Sequence, residues 1–381
     1  MYRMPRWAGF GLKLAELLCV AVLATGCSRN SDRVRRAAAT APARHAAQVD
    51  AGVLHPSLRP LKFVGRVALT PSGQVQYAWS GAGFRARFSG RGLSVHMDDS
   101  ARYHTVVVDG QVRPRLETQP GARVYQVVEN LTQGEHVVEL YRRTEAFLGT
   151  TTLIAVEVTD GQLLSVPTKA ERHIEIIGDS ISCGYGNEGS DTACSFSPET
   201  ENHYLTYGSL LARRFGAELS TIAWSGRGLI KNFNGGPGDP MPLLYERILP
   251  ERPEVTEGLR LPADLVIVNL GTNDFSTEPD PSQGSFVAAY VGLLAKVRRE
   301  EPDAHILTTI GPMLAGEDLK RAERYIRQAV ESRTHAGDTR VQYHPMKATN
   351  DNPGCDWHPN LTTHEKIAQE LEVPIARLLK W

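Results

Sequence analysis

The chain has 381 residues, a formal net charge of −1, 41% hydrophobic residues and 22% charged residues. This near-neutral balance argues against nucleic acid as a partner and against a general attraction to anionic membrane surfaces. The sequence has no uninterrupted apolar run long enough for a transmembrane helix. The length allows two globular domains after removal of a targeting segment.

The N-terminal segment, residues 1–27, is predicted to be a lipoprotein signal peptide. Basic residues precede a short apolar stretch at 17–23, as in export signals. The stretch leads into Ala24-Thr25-Gly26-Cys27, which resembles the end of a bacterial lipobox, so we expect Cys27 to be lipidated. A plain secretory signal cleaved nearby is the alternative. In both cases the protein leaves the cytosol, either anchored in the cell envelope or secreted, and Ser28 favours the outer membrane.

Two regions of different composition follow. Residues 28–58 are rich in Ala, Arg, Pro and Ser and are predicted to form a flexible tether. Residues 59–166 contain short alternating runs separated by turn residues, and Asp109-Gly110 is a tight hairpin signal. This pattern predicts a β-sandwich of jelly-roll type, in which no catalytic constellation is recognisable. The predicted strands are 63–67, 75–79, 84–88, 93–97, 104–108, 124–128, 136–141 and 153–158.

Strands and helices alternate in residues 167–381, which predicts an α/β domain with a parallel sheet covered on both faces. In the helix at 284–300, Phe286, Tyr290 and Leu294 fall on one apolar stripe. Thr362 and Glu365 form a capping-box pattern at the start of the last helix. The predicted strands are 173–178, 217–223, 264–270, 304–310 and 339–343, and the predicted helices are 203–215, 241–249, 284–300, 316–334 and 362–379.

Four short blocks in this second region follow a strand or precede a helix. They are Gly178-Asp179-Ser180, Trp224-Ser225-Gly226-Arg227-Gly228, Gly271-Thr272-Asn273-Asp274 and Asp356-Trp357-His358-Pro359. A hydroxyl at the end of a buried strand lies where open α/β folds place their chemistry. Serine needs a base within hydrogen-bond reach to act as a nucleophile, and the histidine of the last block can supply it. The four blocks in this order therefore indicate a serine esterase.

The blocks resemble the SGNH (GDSL-type) hydrolase superfamily, named for its serine, glycine, asparagine and histidine. The runs 178–187, 200–202 and 354–360 resemble more narrowly carbohydrate esterase family two. This resemblance covers about residues 60–381 and implies a jelly-roll domain ahead of a flavodoxin-like α/β/α hydrolase domain. Members of that family are acetylesterases acting on xylan and glucomannan, so the expected partner is an acetylated polysaccharide or oligosaccharide. The chemistry requires neither a metal nor another cofactor.

The resemblance also assigns roles to individual residues. Ser180 is expected to be the nucleophile, and His358 the general base and then the general acid. The Ser180 N–H, a glycine N–H and the Asn273 amide are expected to form an oxyanion hole. Gly226 is our choice for the glycine, and Gly228 is the alternative.

The group that orients His358 is left open by the sequence. Asp356 is the first choice, although it lies two residues before the histidine where the superfamily usually has an aspartate three residues before it. A backbone carbonyl or Asp351 are the alternatives. Trp357 is expected to stack on a sugar ring, while Asp179 is expected to be structural.

Three cysteines remain after the signal peptide and Cys27 are set aside. They are Cys183, Cys194 and Cys355, so at most one disulfide forms within the chain. A bridge from the serine loop to the histidine loop would suit an exported protein, but the sequence does not determine the pairing.

Two other functions fit parts of the pattern. A lipase or short-chain acylhydrolase would use the same serine and histidine but would need an apolar groove for longer acyl chains. A carbohydrate-binding surface lipoprotein with an inactive hydrolase domain would have no need of the complete catalytic set. Removal of O-acetyl groups from carbohydrate is the leading hypothesis.

Overall fold

The computed structural model describes residues 54–167 and 172–381. The predicted signal peptide, Cys27 and most of the predicted tether lie outside the described residues. Within the described ranges, none of the helices combines the length and the hydrophobicity needed to cross a bilayer.

Two antiparallel sheets make up residues 54–167. One has the strand order β1-β4-β10-β6-β7, with β12 also paired to β4 and β8 to β6, and the other has the order β2-β3-β11-β5-β9. The strands are β1 (Lys62–Val64), β2 (Ala68–Leu69), β3 (Val75–Tyr77), β4 (Gly83–Gly90), β5 (Gly92–Asp98), β6 (Tyr103–Val108), β7 (Gln111–Val112), β8 (Leu116–Glu117), β9 (Ala122–Val128), β10 (Gly134–Arg142), β11 (Thr151–Thr159) and β12 (Gln162–Leu164).

Consecutive long strands of this β-domain alternate between the two sheets, as β4, β5 and β6 do. Every second side chain of β4 points inward, so that Phe84 and Phe88 pack with Leu93 and Val95 of β5 in one shared core. The β-sandwich predicted from the sequence is therefore confirmed, and each of its eight predicted strands overlaps an observed one.

A five-stranded parallel sheet organises the second domain, with the strand order β14-β13-β15-β16-β17. Helices α4 and α5 cover one face of the sheet, and helices α2 and α6 cover the other. The elements are β13 (Arg172–Gly178), α1 (Ser180–Cys183), α2 (Tyr207–Phe215), β14 (Ala217–Ala223), α3 (Met241–Leu244), β15 (Leu265–Asn269), α4 (Gln283–Glu300), β16 (His305–Thr309), α5 (Gly316–His335), β17 (Val341–Tyr343) and α6 (Leu361–Leu379).

All five strands predicted for this domain are present, and the buried stripe of α4 is the predicted one. The helix predicted at 241–249 is wrong in length, because α3 ends at Leu244. The guanidinium of Arg66, from the β-domain, donates hydrogen bonds to the carbonyl oxygens of Tyr245 and Arg247. In a helix continuing to residue 249, the Tyr245 carbonyl would instead accept an intrahelical hydrogen bond from the Leu249 N–H.

The predicted capping box of the last helix is also wrong. Helix α6 begins at Leu361, two residues before the start that the capping-box pattern requires. The side chain of Asn360 accepts the capping hydrogen bond from the Thr363 N–H at 2.9 Å. Glu365 instead pairs with Arg214 of helix α2.

The two domains are joined by a buried ion pair. Arg66 Nη2 of the β-domain lies 3.1 Å from Glu175 Oε2 on β13, and the two side chains are 1% and 3% exposed. Burial alone raises the pKa of Glu175, but the positive charges of Arg66 and Arg260 lower it below its usual range. A buried carboxylate of this kind depends on its cation, so the pair holds the β-domain against the strand that leads to the site.

Candidate active site

Three adjacent parallel strands bring the first three sequence blocks together. Strand β13 ends at Gly178, and its neighbours β14 and β15 end at Ala223 and Asn269. The carboxyl ends of parallel strands share one edge of the sheet, so the loops that follow them form a common rim. Ser180, Gly226 and Asn273 all lie on this rim.

The backbone around Ser180 is a tight strand-to-helix turn. Asp179 is the N-cap of α1, and its carboxylate accepts a hydrogen bond from the Ile181 N–H at 3.1 Å. A Cβ added at Gly178 would lie only 2.1 Å from Ser182 Oγ, so the close packing of this turn requires glycine. Ser180 is 7% exposed and directs its hydroxyl toward His358.

His358 contacts the serine through one ring nitrogen and the backbone through the other. Its Nε2 lies 2.8 Å from Ser180 Oγ, and its Nδ1 lies 3.0 Å from the carbonyl oxygen of Asp356 and 3.3 Å from that of Cys355. Carbonyl oxygens only accept hydrogen bonds, so Nδ1 carries the proton. The lone pair of Nε2 therefore faces the Ser180 hydroxyl, which is the arrangement of a general base.

Desolvation keeps this imidazole neutral. It lowers the pKa of His358 to about 4, against smaller opposing effects of the Asp356 and Cys355 carbonyls. Burial has the opposite effect on the neighbouring acid Asp179, whose pKa it raises to about 7.

Asp356 does not orient His358 through its side chain, which corrects our first choice from the sequence. Its carboxylate Oδ2 accepts hydrogen bonds from the Tyr185 hydroxyl at 2.7 Å and the Phe196 N–H at 2.9 Å. The alternative, Asp351, is engaged with Lys366 at 2.9 Å. The backbone carbonyl of Asp356 takes the orienting position instead, as the other alternative expected.

The backbone before His358 is in an uncommon conformation. Asp356 and Trp357 have φ values of 50° and 66°, a left-handed geometry that costs free energy in residues other than glycine. A disulfide between Cys194 and Cys355 holds this segment against the loop that follows α1. The Asp356 N–H also donates to the Cys194 carbonyl at 3.0 Å. This clamp maintains the carbonyl oxygens beneath the imidazole.

Gly226, rather than Gly228, has a backbone N–H available to a ligand. The Gly228 N–H donates to Asn232 Oδ1 at 3.2 Å, whereas the N–H groups of Gly226 and Ser180 donate to no acceptor within the described residues. Gly226 has a φ of 76°, which favours glycine. Asn273 is 6% exposed, and its Nδ2 donates to the Arg227 carbonyl at 3.0 Å, beside the same loop, and to Asp179 Oδ2 at 3.3 Å.

Asp274 supports the Gly226 loop, a role that the sequence pattern does not reveal. Asp274 accepts hydrogen bonds from three consecutive N–H groups, at 2.8 Å from Leu229, 2.8 Å from Ile230 and 3.0 Å from Lys231. The third block thus contributes both the Asn273 amide and a carboxylate that holds the second block. The only earlier signal was the position of Asp274 directly after Asn273.

Aromatic side chains border the serine and histidine. Trp357, selected from the sequence, is 41% exposed beside His358. Tyr185, which the sequence also places near the catalytic blocks, stacks on the His358 ring with centroids 4.1 Å apart. Phe233 was not singled out from the sequence; it is 52% exposed and donates its N–H to the Gly226 carbonyl at 2.8 Å. Exposed aromatic faces suit the apolar C–H faces of a sugar ring.

Two protein-family models together cover most of the described chain. Residues 63–167 match the N-terminal domain of carbohydrate esterase 2, and residues 176–366 match the GDSL-like lipase/acylhydrolase family. The first match ends with the β-domain, and the second begins within β13.

Curated relatives and solved structures agree with these models. The cellulase/esterase CelE of Acetivibrio thermocellus is 36% identical over 322 residues, which are 84% of this chain and 39% of that relative. An acetylxylan esterase/glucomannan deacetylase of Cellvibrio japonicus is 26% identical and aligns over 84% of this chain and 89% of its own.

One solved structure extends the similarity to three dimensions. A family two carbohydrate esterase from Clostridium thermocellum, in complex with cellohexaose, has a TM-score of 0.79 and 35% sequence identity, covering 84% of this chain and 99% of its own. The chain therefore belongs to the GDSL-like hydrolases and, among them, to carbohydrate esterase family two.

Proposed function

We propose that the protein is an exported serine esterase that removes O-acetyl groups from carbohydrate through an acyl-enzyme. The observation that carries the proposal is the 2.8 Å contact between Ser180 Oγ and a His358 ring whose protonated Nδ1 faces backbone carbonyls. Relatives named as acetylxylan esterase and glucomannan deacetylase support acetylated xylan or glucomannan as the substrate class.

The geometry supports a two-step reaction in which His358 moves the proton. As Ser180 Oγ attacks the acetyl carbonyl carbon, its proton passes to His358 Nε2, and the carbonyl oxygen becomes an oxyanion. The N–H groups of Ser180 and Gly226 stabilise that charge, and the Asn273 amide joins them when it exchanges its 3.3 Å bond to Asp179 for the oxyanion. The intermediate collapses when the sugar oxygen leaves with the proton from His358.

Water completes the cycle by the same route. His358 removes a proton from a water molecule that attacks the acetyl-serine ester, and acetate leaves as the proton returns to Ser180 Oγ. A neutral imidazole is needed at the start of both steps. The desolvation that lowers the pKa of His358 provides that state at neutral pH.

Substitution of Ser180 or His358 should lower kcat far more than substitution of Asp356. Ser180→Ala and His358→Ala should each lower kcat for an aryl acetate by about 10³-fold or more. Asp356→Asn should lower it by less than about tenfold, whereas loss of an orienting aspartate in a Ser-His-Asp triad costs about 10⁴-fold. Steady-state kinetics with circular dichroism as the folding control would test this. Retention of a tenth of the activity by either alanine variant would refute the assignment.

The pH dependence of kcat/KM should report a neutral base. Only neutral His358 can accept the serine proton, so a lowered pKa extends activity toward acid, and activity is lost as pH falls through about 4. Rates on an aryl acetate from about pH 3.5 to about pH 8 would locate this limb. A limb near the ordinary histidine value of about 6.5 would contradict the desolvated base. Because the pKa of Asp179 is also raised, to about 7, the Asp179→Asn variant is the control: a limb near neutral pH that persists in this variant belongs to His358.

Trp357 should matter for a polymer more than for a small ester. Binding energy remote from the reacting carbonyl contributes only when the substrate has a sugar ring to hold. Trp357→Ala should therefore lower kcat/KM for acetylated xylan or glucomannan by about tenfold or more and for an aryl acetate by less than about threefold. Trp357→Phe, which keeps an aromatic face, is the matched control. Equal losses on both substrates would indicate that Trp357 only positions His358, and a wild-type preference for octanoyl over acetyl esters would favour a lipase.

Export and lipidation form a separate part of the proposal, supported by the lipobox-like sequence ending at Cys27. Mass spectrometry of membrane fractions should find a diacylglyceryl group on Cys27 as the first residue of the mature chain. The Cys27→Ser variant should lose both the adduct and the membrane association, since stable anchoring requires acyl chains. A mature protein that begins elsewhere, with Cys27 unmodified or removed, would contradict this expectation.

A further inference from the structure

A carboxylate of the β-domain reaches the second sequence block. Glu145 lies between β10 and β11 and is completely buried. Its Oε2 accepts a hydrogen bond from the Ser225 N–H at 2.7 Å, and its Oε1 accepts one from the Ser225 hydroxyl. Ser225 directly precedes Gly226, so both donors of the residue before the oxyanion-hole glycine are bound by one side chain from the other domain.

The backbone that presents Glu145 is itself held by a buried cation. Arg142 Nη2 donates to the Glu145 carbonyl at 2.8 Å, and its Nε donates to the Thr144 carbonyl at 3.1 Å. The same guanidinium reaches Thr151, whose hydroxyl donates to the buried carboxylate of Asp99 at 2.5 Å. These contacts anchor Glu145 in the core of the β-domain.

A second carboxyl group and a thiol complete the surroundings of Glu145. The Glu145 N–H donates to Glu201 Oε2 at 3.2 Å, and Cys183 Sγ, on the helix that begins with Ser180, lies 3.8 Å from Glu145 Oε2. Glu201 belongs to the run Thr200-Glu201-Asn202, which resembles carbohydrate esterase family two.

Burial decides where the charge lies in this cluster. It raises the pKa of Glu201 well above its usual range, and the negative charge of Glu145 raises it further. Burial also raises the pKa of Glu145, but the two Ser225 hydrogen bonds oppose that rise. Glu145 is therefore the more acidic of the two carboxyl groups, and burial also raises the pKa of the Cys183 thiol. The three donor groups are close enough to hold a cation, but the Glu145 carboxylate already accepts hydrogen bonds from Ser225 and Cys183.

An oxyanion donor is effective only when it is aimed before the charge develops. The Gly226 N–H belongs to the Ser225–Gly226 peptide, and glycine by itself does little to restrict rotation of that peptide. On one side the Gly226 carbonyl is held by the Phe233 N–H at 2.8 Å. On the other side Glu145 holds Ser225.

We propose that Glu145 is a positioning residue for the oxyanion hole: from the β-domain it holds Ser225 so that the Gly226 N–H faces the reacting carbonyl. This inference rests on the proposed esterase function and deepens it. It gives the β-domain a part in transition-state stabilisation, carried out through Ser225 and without contact to the substrate.

Kinetics of Glu145 variants on an aryl acetate test the inference. Glu145→Ala should lower kcat by about 10- to 100-fold, because one oxyanion donor contributes about 10²–10³-fold when it is removed outright. KM should change by less than about threefold, since the ground-state ester hardly uses the donor. Glu145→Gln should restore kcat to within about fivefold of wild type, because its amide oxygen can still accept the Ser225 N–H.

Glu175→Gln is the matched control for weakened domain docking. It removes the charge partner of buried Arg66 and should lower Tm while leaving kcat unchanged. Should Glu145→Ala fail to fold, Ser225→Ala carries the test. Its kcat should fall about fivefold with only a small loss of Tm, because the hydroxyl contact to Glu145 is lost while the N–H contact remains.

Several outcomes would overturn the inference. One is an unchanged kcat in folded Glu145→Ala, or in Ser225→Ala if Glu145→Ala does not fold. Others are an effect of Glu145→Ala on KM alone, and a loss of kcat in Glu175→Gln equal to that in Glu145→Ala. The last is stoichiometric metal in the purified protein whose removal abolishes activity. Wild-type hydrolysis that Ser180→Ala abolishes is measured first. Its absence would refute the proposed function, which keeps that failure distinct from a failure of the Glu145 inference.

Discussion

The hydrogen bond from His358 Nδ1 to the backbone carbonyls of Cys355 and Asp356 is the contact on which the site depends. A carbonyl oxygen fixes the tautomer as well as a carboxylate does, because both accept the Nδ1 proton. It supplies no full negative charge, however, so the imidazolium of the proposed mechanism is stabilised less than in a triad with an aspartate. The proposed mechanism thus relies on accurate placement of the ring and of the proposed oxyanion donors.

That placement is maintained by groups other than Ser180, His358 and the proposed oxyanion donors. The Cys194–Cys355 disulfide and the Asp356 carboxylate hold the histidine loop against the loop after α1. Asp274 holds the Gly226 loop through three backbone N–H groups. The left-handed backbone at Asp356 and Trp357 persists because these contacts surround it.

Much of this arrangement could be predicted from the sequence, for a local reason. Ser180, Gly226 and Asn273 follow strands whose apolar runs are visible, and parallel strands carry their carboxyl ends to one edge. The position of strand ends could not reveal Glu145, because this residue belongs to the other domain and lies 80 residues before Ser225, which it contacts.

The errors have the same origin. The direction of the Asp356 side chain depends on Tyr185 and on the loop near Phe196, and the early end of α3 depends on Arg66. Periodicity and capping patterns describe a segment by itself, so they miss a partner supplied by a distant one. The disulfide pairing was undetermined for a similar reason, since only the fold brings Cys194 and Cys355 together.

The buried pair of Arg66 and Glu175 bears on how far the two domains can be exchanged or separated. A hydrolase domain cut free at residue 172 would keep Glu175 within its sheet but lose the Arg66 cation paired with it. Where a replacement domain buried Glu175 again, the missing partner would cost about 3–5 kcal/mol, a large fraction of the stability of an ordinary domain. The β-domain therefore cannot be treated as an interchangeable accessory: recombination that replaced it would have to supply a cation at the same point on β13.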